Sequence, residues 1–419
     1  MKNNYICALD LGSSKIAAGL AVFSKKEKIS SLYLESVPSR GFKHGKIMDP
    51  VDLSDSLGKL LNKLKVKSGI NVKSVYINIY GQDIITKHSR ATIALAERGN
   101  KIVTQRDMQR SVEEALILGS RLEEEIIEQM PVGYKIDDQD SIINPLGLYG
   151  HALSVDLYLI CAKSSYIQTV HRLMCNIGYD VRCLFLSATA VSKIVFGPEQ
   201  SKNGCRIFVD IGSDLAQIYL FKEGMLRNIE TVYSGGDELT YELARTIKAP
   251  FELAEDIKRS YAAIGEYKAA EDKQVMIRKD AQYDPVSQRL ICEVVTAKAA
   301  VLIESIKMSA AKMVSGSESI ESFMVGGRAV LLDGFLEMME AALGFPVKMI
   351  RFYNREYFDY AQCESVKSAP RFLNFATVLG IIHQAFELTR NKRLLRPLSH
   401  LSPLQRVITR AKEIYQEYF

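Results

Sequence analysis

Asp10-Leu11-Gly12-Ser13 recurs as Asp210-Ile211-Gly212-Ser213, 200 residues further along a chain of 419. Each copy closes one apolar run and opens another. Residues 5–11 read as a buried strand and residues 16–23 as a second, with Gly12-Ser13-Ser14-Lys15 as the turn between them. A polar stretch at 24–28 leads to a third strand at 29–35. The second copy repeats the design with strands at 206–211, 216–221 and 225–232, turning at Gly212-Ser213-Asp214-Leu215 and Lys222-Glu223-Gly224. A duplication at so long a period predicts two homologous lobes rather than a solenoid.

These residue types suit a phosphate site. A carboxylate at a strand end, here Asp10 or Asp210, can hold hydrated magnesium, which prefers oxygen ligands. Gly12 and Gly212 let backbone N–H groups approach a phosphate. The hydroxyls of Ser13 and Ser14, with Ser213 in the second copy, add donors, and Lys15 adds positive charge. Either loop alone reads more readily as an ordinary Gly-Ser hairpin; recurrence in two lobes reverses that preference. A third glycine site follows a strand at 322–325, where Gly326-Gly327 and Arg328 precede a helix expected over about 330–343. Bare backbone there can support a flat adenine or ribose, although a plain strand-to-helix turn would look the same. None of the three sites matches G-x-G-x-x-G or the P-loop, which excludes Rossmann and Walker readings.

The composition, 47% hydrophobic and 25% charged, is that of an ordinary globular chain, and the length calls for more than one core. No run of about 18 apolar residues predicts a membrane span. The early apolar run meets Asp10 too soon for a signal peptide, so a cytoplasmic chain is expected. Cysteines 7, 161, 175, 183, 205, 292 and 363 form no Cys-x-x-Cys pair and are expected to be buried reduced thiols. The six histidines show no metal-ligand spacing. The whole net charge of +5 sits in residues 390–419, where seven basic residues face Glu413 and Glu417. A nucleic-acid binder spreads a basic face over its body, so no nucleic-acid partner is expected.

The Asp-x-Gly-Ser loops with a late Gly-Gly turn resemble the actin, sugar-kinase and heat-shock ATPase superfamily. Within it, similarity to the FtsA family runs nearly end to end. Residues 8–16 resemble that family's first phosphate loop, and Pro38-Ser39-Arg40-Gly41-Phe42-Lys43-His44-Gly45 the segment after it. Val103-Thr104-Gln105-Arg106-Asp107-Met108 and Asn144-Pro145-Leu146-Gly147 resemble its inserted subdomain 1C. Ser234-Gly235-Gly236 and Ala254-Glu255-Asp256-Ile257-Lys258 are similar to its second-lobe nucleotide segments, and Phe375-Ala376-Thr377-Val378-Leu379-Gly380 to its closing element.

The resemblance implies an α/β, actin-like fold of two ribonuclease H-like lobes with a 1C insert and a C-terminal amphipathic helix. Its subdomains would fall at 1–81, 82–163, 164–192, 193–236, 237–305 and 306–387, followed by a basic linker at 388–401 and a helix at 402–419. ATP and Mg2+ would lie between the lobes, contacted additionally by Gly235, Gly236, Glu255, Lys258, Gly326, Gly327 and Arg328. The last of these has a charge suited to stacking on adenine. Taken alone, Glu255 and Lys258 read equally as an exposed ion pair. Residues 74–79 read as a strand before the insert; within it a helix begins near Gln105 with Thr104 as its N-cap, and a strand resumes at 155–161 before the chain returns to the first lobe. Ser213-Asp214-Leu215 departs from the family's Gly-Gly-Thr, and Asp214 puts a negative charge near where a phosphate would lie unless it faces magnesium or caps the turn. ATP binding with at most slow hydrolysis is therefore expected, and no catalytic residue is assigned.

Ser402-Pro403-Leu404-Gln405 is a helix start with a capping box. Leu404, Val407, Ile408, Ala411, Ile414, Tyr415, Tyr418 and Phe419 fall within one arc of roughly 140°. A basic linker and aromatic residues on the apolar face point to an interfacial membrane helix, as FtsA proteins carry. The resemblance implies a peripheral protein of the inner membrane's cytoplasmic face, at the division site. Implied partners are the FtsZ C-terminal peptide, further copies of itself, anionic lipids and other division proteins. A PilM-like scaffold of pilus assembly and a sugar kinase share the superfamily and are the alternatives.

Overall fold

The computed structural model describes residues 5–24, 28–96, 99–197, 204–265, 272–279, 282–314, 319–353 and 368–390. The C-terminal segment read above as a membrane helix, Leu404 to Phe419 included, lies outside the described residues. The described residues divide into two units, one drawn from 1–84 with 170–383 and one from 85–169 with 384–390.

The larger unit holds two five-stranded sheets of one topology. In the first, the order is Asp180–Leu186, Ser74–Ile79, Tyr5–Leu11, Lys15–Phe23, Ile29–Pro38. In the second it is Val347–Met349, Ser319–Gly326, Gly204–Ile211, Ala216–Lys222, Met225–Val232. In each, three strands meander antiparallel; a fourth joins the first strand in parallel and a fifth joins the fourth in parallel. The duplication read from the two loops is therefore a duplication of the whole sheet. The first strands are apolar on both faces, with Ile6, Cys7, Ala8 and Leu9 buried in one and Cys205, Ile207, Phe208 and Val209 in the other. Such continuous apolar runs suit a strand covered on both sides.

Helix Pro50–Ser68 shows how the cover forms. Asp49 caps it by accepting the N–H groups of Val51 and Asp52 at 2.8 and 3.1 Å, proline takes the first turn, and Gly69 ends it at φ 71°. Leu53, Leu57, Leu60, Leu61 and Leu64 make one buried stripe, each contributing about 1.5–3 kcal/mol by burial. Near the end of the described chain, Gly380 lets helix Ala369–Arg390 pack against backbone, since a Cβ there would stand 2.4 Å from the Ala190 carbonyl.

The helix expected over 330–343 is interrupted. A 3-10 turn at Ala329–Leu331 gives way at Asp333-Gly334 before helix Phe335–Leu343 begins. The Asp333 carbonyl accepts the Ile264 N–H at 2.7 Å, and Gly334 turns at φ 82°, where a Cβ would meet the Ile264 carbonyl at 2.0 Å. A tertiary contact wins over helical periodicity. The third strand also runs further than expected, to Pro38.

The smaller unit is a four-stranded sheet in the order Gln139–Ile142, Glu124–Ile136, Ala152–Lys163, Ile84–Ala94, with a two-stranded ribbon of Tyr149–Gly150 and Lys101–Ile102. Helix Gln105–Gly119 starts at the expected capping box: Thr104 Oγ1 accepts the Asp107 N–H and Asp107 accepts the Thr104 N–H. Ala91, Ile93, Val103, Leu153, Leu157 and Leu159 belong to its core. The strand expected at 155–161 is longer than read, and its partner Glu124–Ile136 was not anticipated.

The six described cysteines are free thiols, but Cys175 is exposed and Cys183 half-buried, against the expectation that all are buried. Among the described residues no helix is long and apolar enough to cross a membrane, and no group of three or more His, Cys, Asp or Glu side chains is arranged to hold a metal ion.

Candidate functional site

Both hairpin turns face one cleft of about 700 Å3 in the larger unit. They arrive there by the same register. Asp10 lies opposite Ala17 and Leu11 opposite Ile16; Asp210 lies opposite Gln217 and Ile211 opposite Ala216. The Gly12 N–H closes the first turn on the Lys15 carbonyl at 3.1 Å, and the Gly212 N–H closes the second on that of Leu215 at 2.9 Å. A Cβ at either glycine would approach the accepting oxygen to 2.7 or 2.9 Å. Glycine is therefore needed for the turn itself, before any ligand is considered.

Of the cofactor residues read from sequence, all but Gly235 and Gly326 line this cleft. Gly235 packs behind the second turn, where a Cβ would sit 2.6 Å from the Gly212 and Ser213 carbonyls, and Gly326 lies under Ile350 and Phe208. The N-terminus of helix Gly236–Ile247 braces the same turn: Gly236 N–H donates to the Gly212 carbonyl at 2.9 Å and Asp237 N–H to that of Ser213 at 2.6 Å.

Asp10 and Asp210 end the two central strands. Burial raises the Asp10 carboxyl to about 7, against the pull of Lys15 and with a further push from Asp210. Burial likewise raises Asp210 to about 6, with Lys15 opposing. Burial lowers Lys15 to about 8, opposed by Asp10, and the charge of Arg328 lowers it further. Two oxygen donors driven toward neutrality would be restored to their charged forms by a hydrated divalent cation. The Ser213 hydroxyl is a leftover polar group here, its Oγ buried with no hydrogen-bond partner among the described residues. The donor set fits a magnesium–phosphate ligand.

Three residues behave differently from the sequence reading. Lys15 is not free: its Nζ donates to the Asn374 backbone carbonyl at 2.6 Å and to its Oδ1 at 2.8 Å, 5.8 Å from the centroid of the Phe375 ring. Asp214 does not simply present a negative charge, because its carboxylate accepts the His44 backbone N–H and lies 3.4 Å from His44 Nδ1. Gly327 is held by backbone geometry, at φ +93° with a would-be Cβ 2.0 Å from the Ile211 carbonyl. A bulky residue at 327 would therefore disturb the fold before it reached an adenine.

Glu255 and Lys258 are not an exposed pair. Lys258 is 6% exposed and donates to the Gly236 carbonyl at 2.9 Å and to Thr240 Oγ1 at 2.6 Å, with Glu255 Oε2 at 2.6 Å. Burial pushes the Glu255 carboxyl up, but Lys258, Thr240 and Arg259 outweigh it and hold it below its ordinary value. The pair fastens helix Phe251–Tyr261 to the start of helix Gly236–Ile247.

Other polar residues complete the cleft without having been anticipated. Asn78 Oδ1 accepts the Leu11 N–H at 2.6 Å while its Nδ2 donates to Asp10 Oδ1 at 2.7 Å. Gln217 Oε1 accepts from Tyr219 Oη at 2.7 Å and from the Gly81 N–H at 3.3 Å, tying the second sheet to the end of a first-sheet strand. Tyr80 Oη lies 3.0 Å from Ser13 Oγ, and Ser187 and Thr377 line the same space. The available signal was a polar residue inside an apolar strand, Asn78 in 74–79 and Gln217 in 216–221.

Two family models match this chain. "SHS2 domain inserted in FTSA" covers residues 81–161, and "Cell division protein FtsA" covers residues 207–380. The chain belongs to the FtsA family of actin-like cell-division proteins. The cell division protein FtsA of Pseudomonas aeruginosa is 22% identical over 82% of this chain and 82% of its own length. That of Neisseria meningitidis is 22% identical over 93% of this chain and 92% of its own. Solved structures share the fold: a PilM–PilN type IV pilus biogenesis complex (TM-score 0.60, 14% identity, 91% of this chain and 98% of that one) and an MreB protein of Spiroplasma citri bound to ADP (TM-score 0.53, 11% identity, 95% and 100%). At such identities the PilM likeness speaks for the actin-like fold alone, while both family models are those of FtsA.

Proposed function

We propose that this FtsA-family chain binds ATP with magnesium in the cleft and tethers FtsZ filaments to the cytoplasmic face of the inner membrane. The observation that carries the nucleotide reading is the meeting of two Asp-x-Gly-Ser turns, one from each matching sheet, around half-buried carboxylates and a Ser213 hydroxyl with no partner among the described residues. Asp10 and Asp210 would hold Mg2+ through water, the turns with Lys15 would receive phosphates, and the Glu255–Lys258 side would receive the ribose. Magnesium, when bound, supplies the charge that neutralises the phosphates. The MreB relative in complex with ADP supports this reading at the level of the fold. Hydrolysis is slow in this account, because Leu215 is buried at 2% exposure and brings no hydroxyl, and Gln217 is held at both ends.

The subdomain boundaries given by the resemblance are part of the proposal, as are docking of the FtsZ C-terminal peptide on residues 237–305 and actin-like self-assembly. A MamK double helical filament shares the fold (TM-score 0.52, 10% identity, 91% of this chain and 98% of that one). Membrane attachment rests on the sequence of residues 404–419, whose apolar arc offers several kcal/mol at about 25 cal/mol per Å2. Neighbouring basic residues add roughly 1 kcal/mol each near an anionic surface. The test is co-sedimentation with anionic vesicles in the presence of FtsZ. The wild-type chain should pellet and bring FtsZ with it, and the Ile408→Glu, Tyr415→Glu double variant should stay in the supernatant at every salt concentration. A double variant that still pellets removes the helix as the anchor.

A further inference from the structure

The two sides of the cleft touch through a residue whose chemistry the nucleotide reading leaves unused. Arg328 follows Gly326-Gly327 at the end of a second-sheet strand, and its Nη2 donates to Ser14 Oγ, in the first phosphate turn, at 2.7 Å. The partners are 314 residues apart. Among the described residues this guanidinium makes no other hydrogen bond and no ion pair, although it carries five N–H donors.

Its surroundings favour an anion. The charge of Arg328 is felt at Lys15, and Arg259 acts on Arg328 as a further like charge. Glu255 and Asp237 offset this only in part, since burial and Arg259 still leave the guanidinium below its ordinary value. Lys15 keeps one ammonium hydrogen beyond the two that Asn374 takes. An anionic oxygen between Lys15 and Arg328 would answer both charges. The contact to Ser14 sets Nη2 of the guanidinium at the phosphate turn, while Glu255 and Asp237 also act on its charge.

We propose that Arg328 reads phosphate: its guanidinium, parked on Ser14 across the cleft, exchanges that hydroxyl for a phosphate oxygen of a bound nucleoside di- or triphosphate. This rests on the nucleotide reading above and replaces the expectation that Arg328 stacks on the base. A planar fork of donors binds phosphate oxygens in pairs, which a lysine or a hydroxyl cannot do. The exchange links the two sheets through the ligand where they are now linked through a serine.

The experiment is calorimetric titration of wild type, Arg328→Ala and Arg328→Gln with ATP, ADP and adenosine in magnesium buffer, with melting curves for each variant. Loss of a charge-assisted phosphate contact should weaken ATP and ADP about ten- to a hundredfold. Adenosine affinity should stay within about twofold, which also shows that the site remains folded. Equal weakening of adenosine would assign Arg328 to the base and overturn the proposal. Unchanged ATP and ADP affinities would do the same by leaving it a purely structural link. A wild-type chain that binds neither ATP nor ADP would sink the nucleotide reading itself, a result separable from both.

Discussion

The two hairpin turns that face the cleft share a backbone and divide the chemistry. Asp10 and Asp210 hold the same register, and Gly12 and Gly212 close the same turn. Beyond that point they part. The first turn continues Ser14-Lys15, polar and charged, and its lysine is anchored on Asn374. The second continues Asp214-Leu215, where Leu215 is core and Asp214 accepts the His44 N–H. Each turn is met at its third position from the opposite lobe, Ser14 by Arg328 and Asp214 by the His44 backbone. One duplicated frame thus carries a cation-rich turn and an anion-bearing turn. The duplication keeps the glycine that the turn demands and the carboxylate that faces the cleft; the third and fourth turn positions have diverged, and the third meets a partner from the other lobe.

The frame is where substitution should cost most. Gly327→Phe forces a positive φ on a bulky residue and drives its Cβ into the Ile211 carbonyl. A stability loss on the order of 3 kcal/mol or more is expected, read as a collapse of the melting temperature with or without nucleotide. A folded Gly327→Phe chain that lost only ATP binding would return Gly327 to the ligand.

A smaller effect of opposite sign is expected at the second carboxylate. Folding raises Asp210 from the ordinary carboxylate value of 3.8 to about 6. The folded chain therefore binds more protons than the unfolded one in that window, and stability falls as pH rises through it. Above about pH 6 the charged carboxylate is a cost that Asp210→Asn removes. The ligand-free variant should gain on the order of 2 kcal/mol at pH 8 and little at pH 4, measured by denaturant titration. A variant less stable than wild type at pH 8 would show that the carboxylate is well solvated or paired.

Not all of this was open to reading from sequence. The hairpins were legible because apolar runs flanked by Gly-Ser turns are local signals, and so was the capping box at Thr104. Strand Glu124–Ile136 was not, because Pro131, Gly133 and its glutamates suppress a strand reading. The register shift between Asp156 and Leu157 places Pro131 beside a bulge, which is how a sheet accommodates it. The partners of Lys15 and Ser14 had no local signature, since Asn374 and Arg328 lie 359 and 314 residues away. Asp214 looked like a charge facing phosphate, and only the fold brings His44 to it.

That last contact gives the smallest predicted effect. Asp214→Asn keeps an acceptor for the His44 N–H and loses only charge, so about 0.5–1 kcal/mol of stability should go. ATP affinity should change less than about twofold. A tenfold gain would mean that Asp214 repels the phosphates after all.

Calorimetric titration of ATP, with Mg2+ present and with Mg2+ chelated, decides whether both hairpins build one magnesium–nucleotide site. Wild type should bind one ATP per chain, more weakly without the metal, and Asp10→Asn and Asp210→Asn should each lose the metal-dependent part of the affinity. If either variant keeps wild-type, magnesium-dependent binding, that hairpin is no part of the site and the account of a shared cleft is wrong.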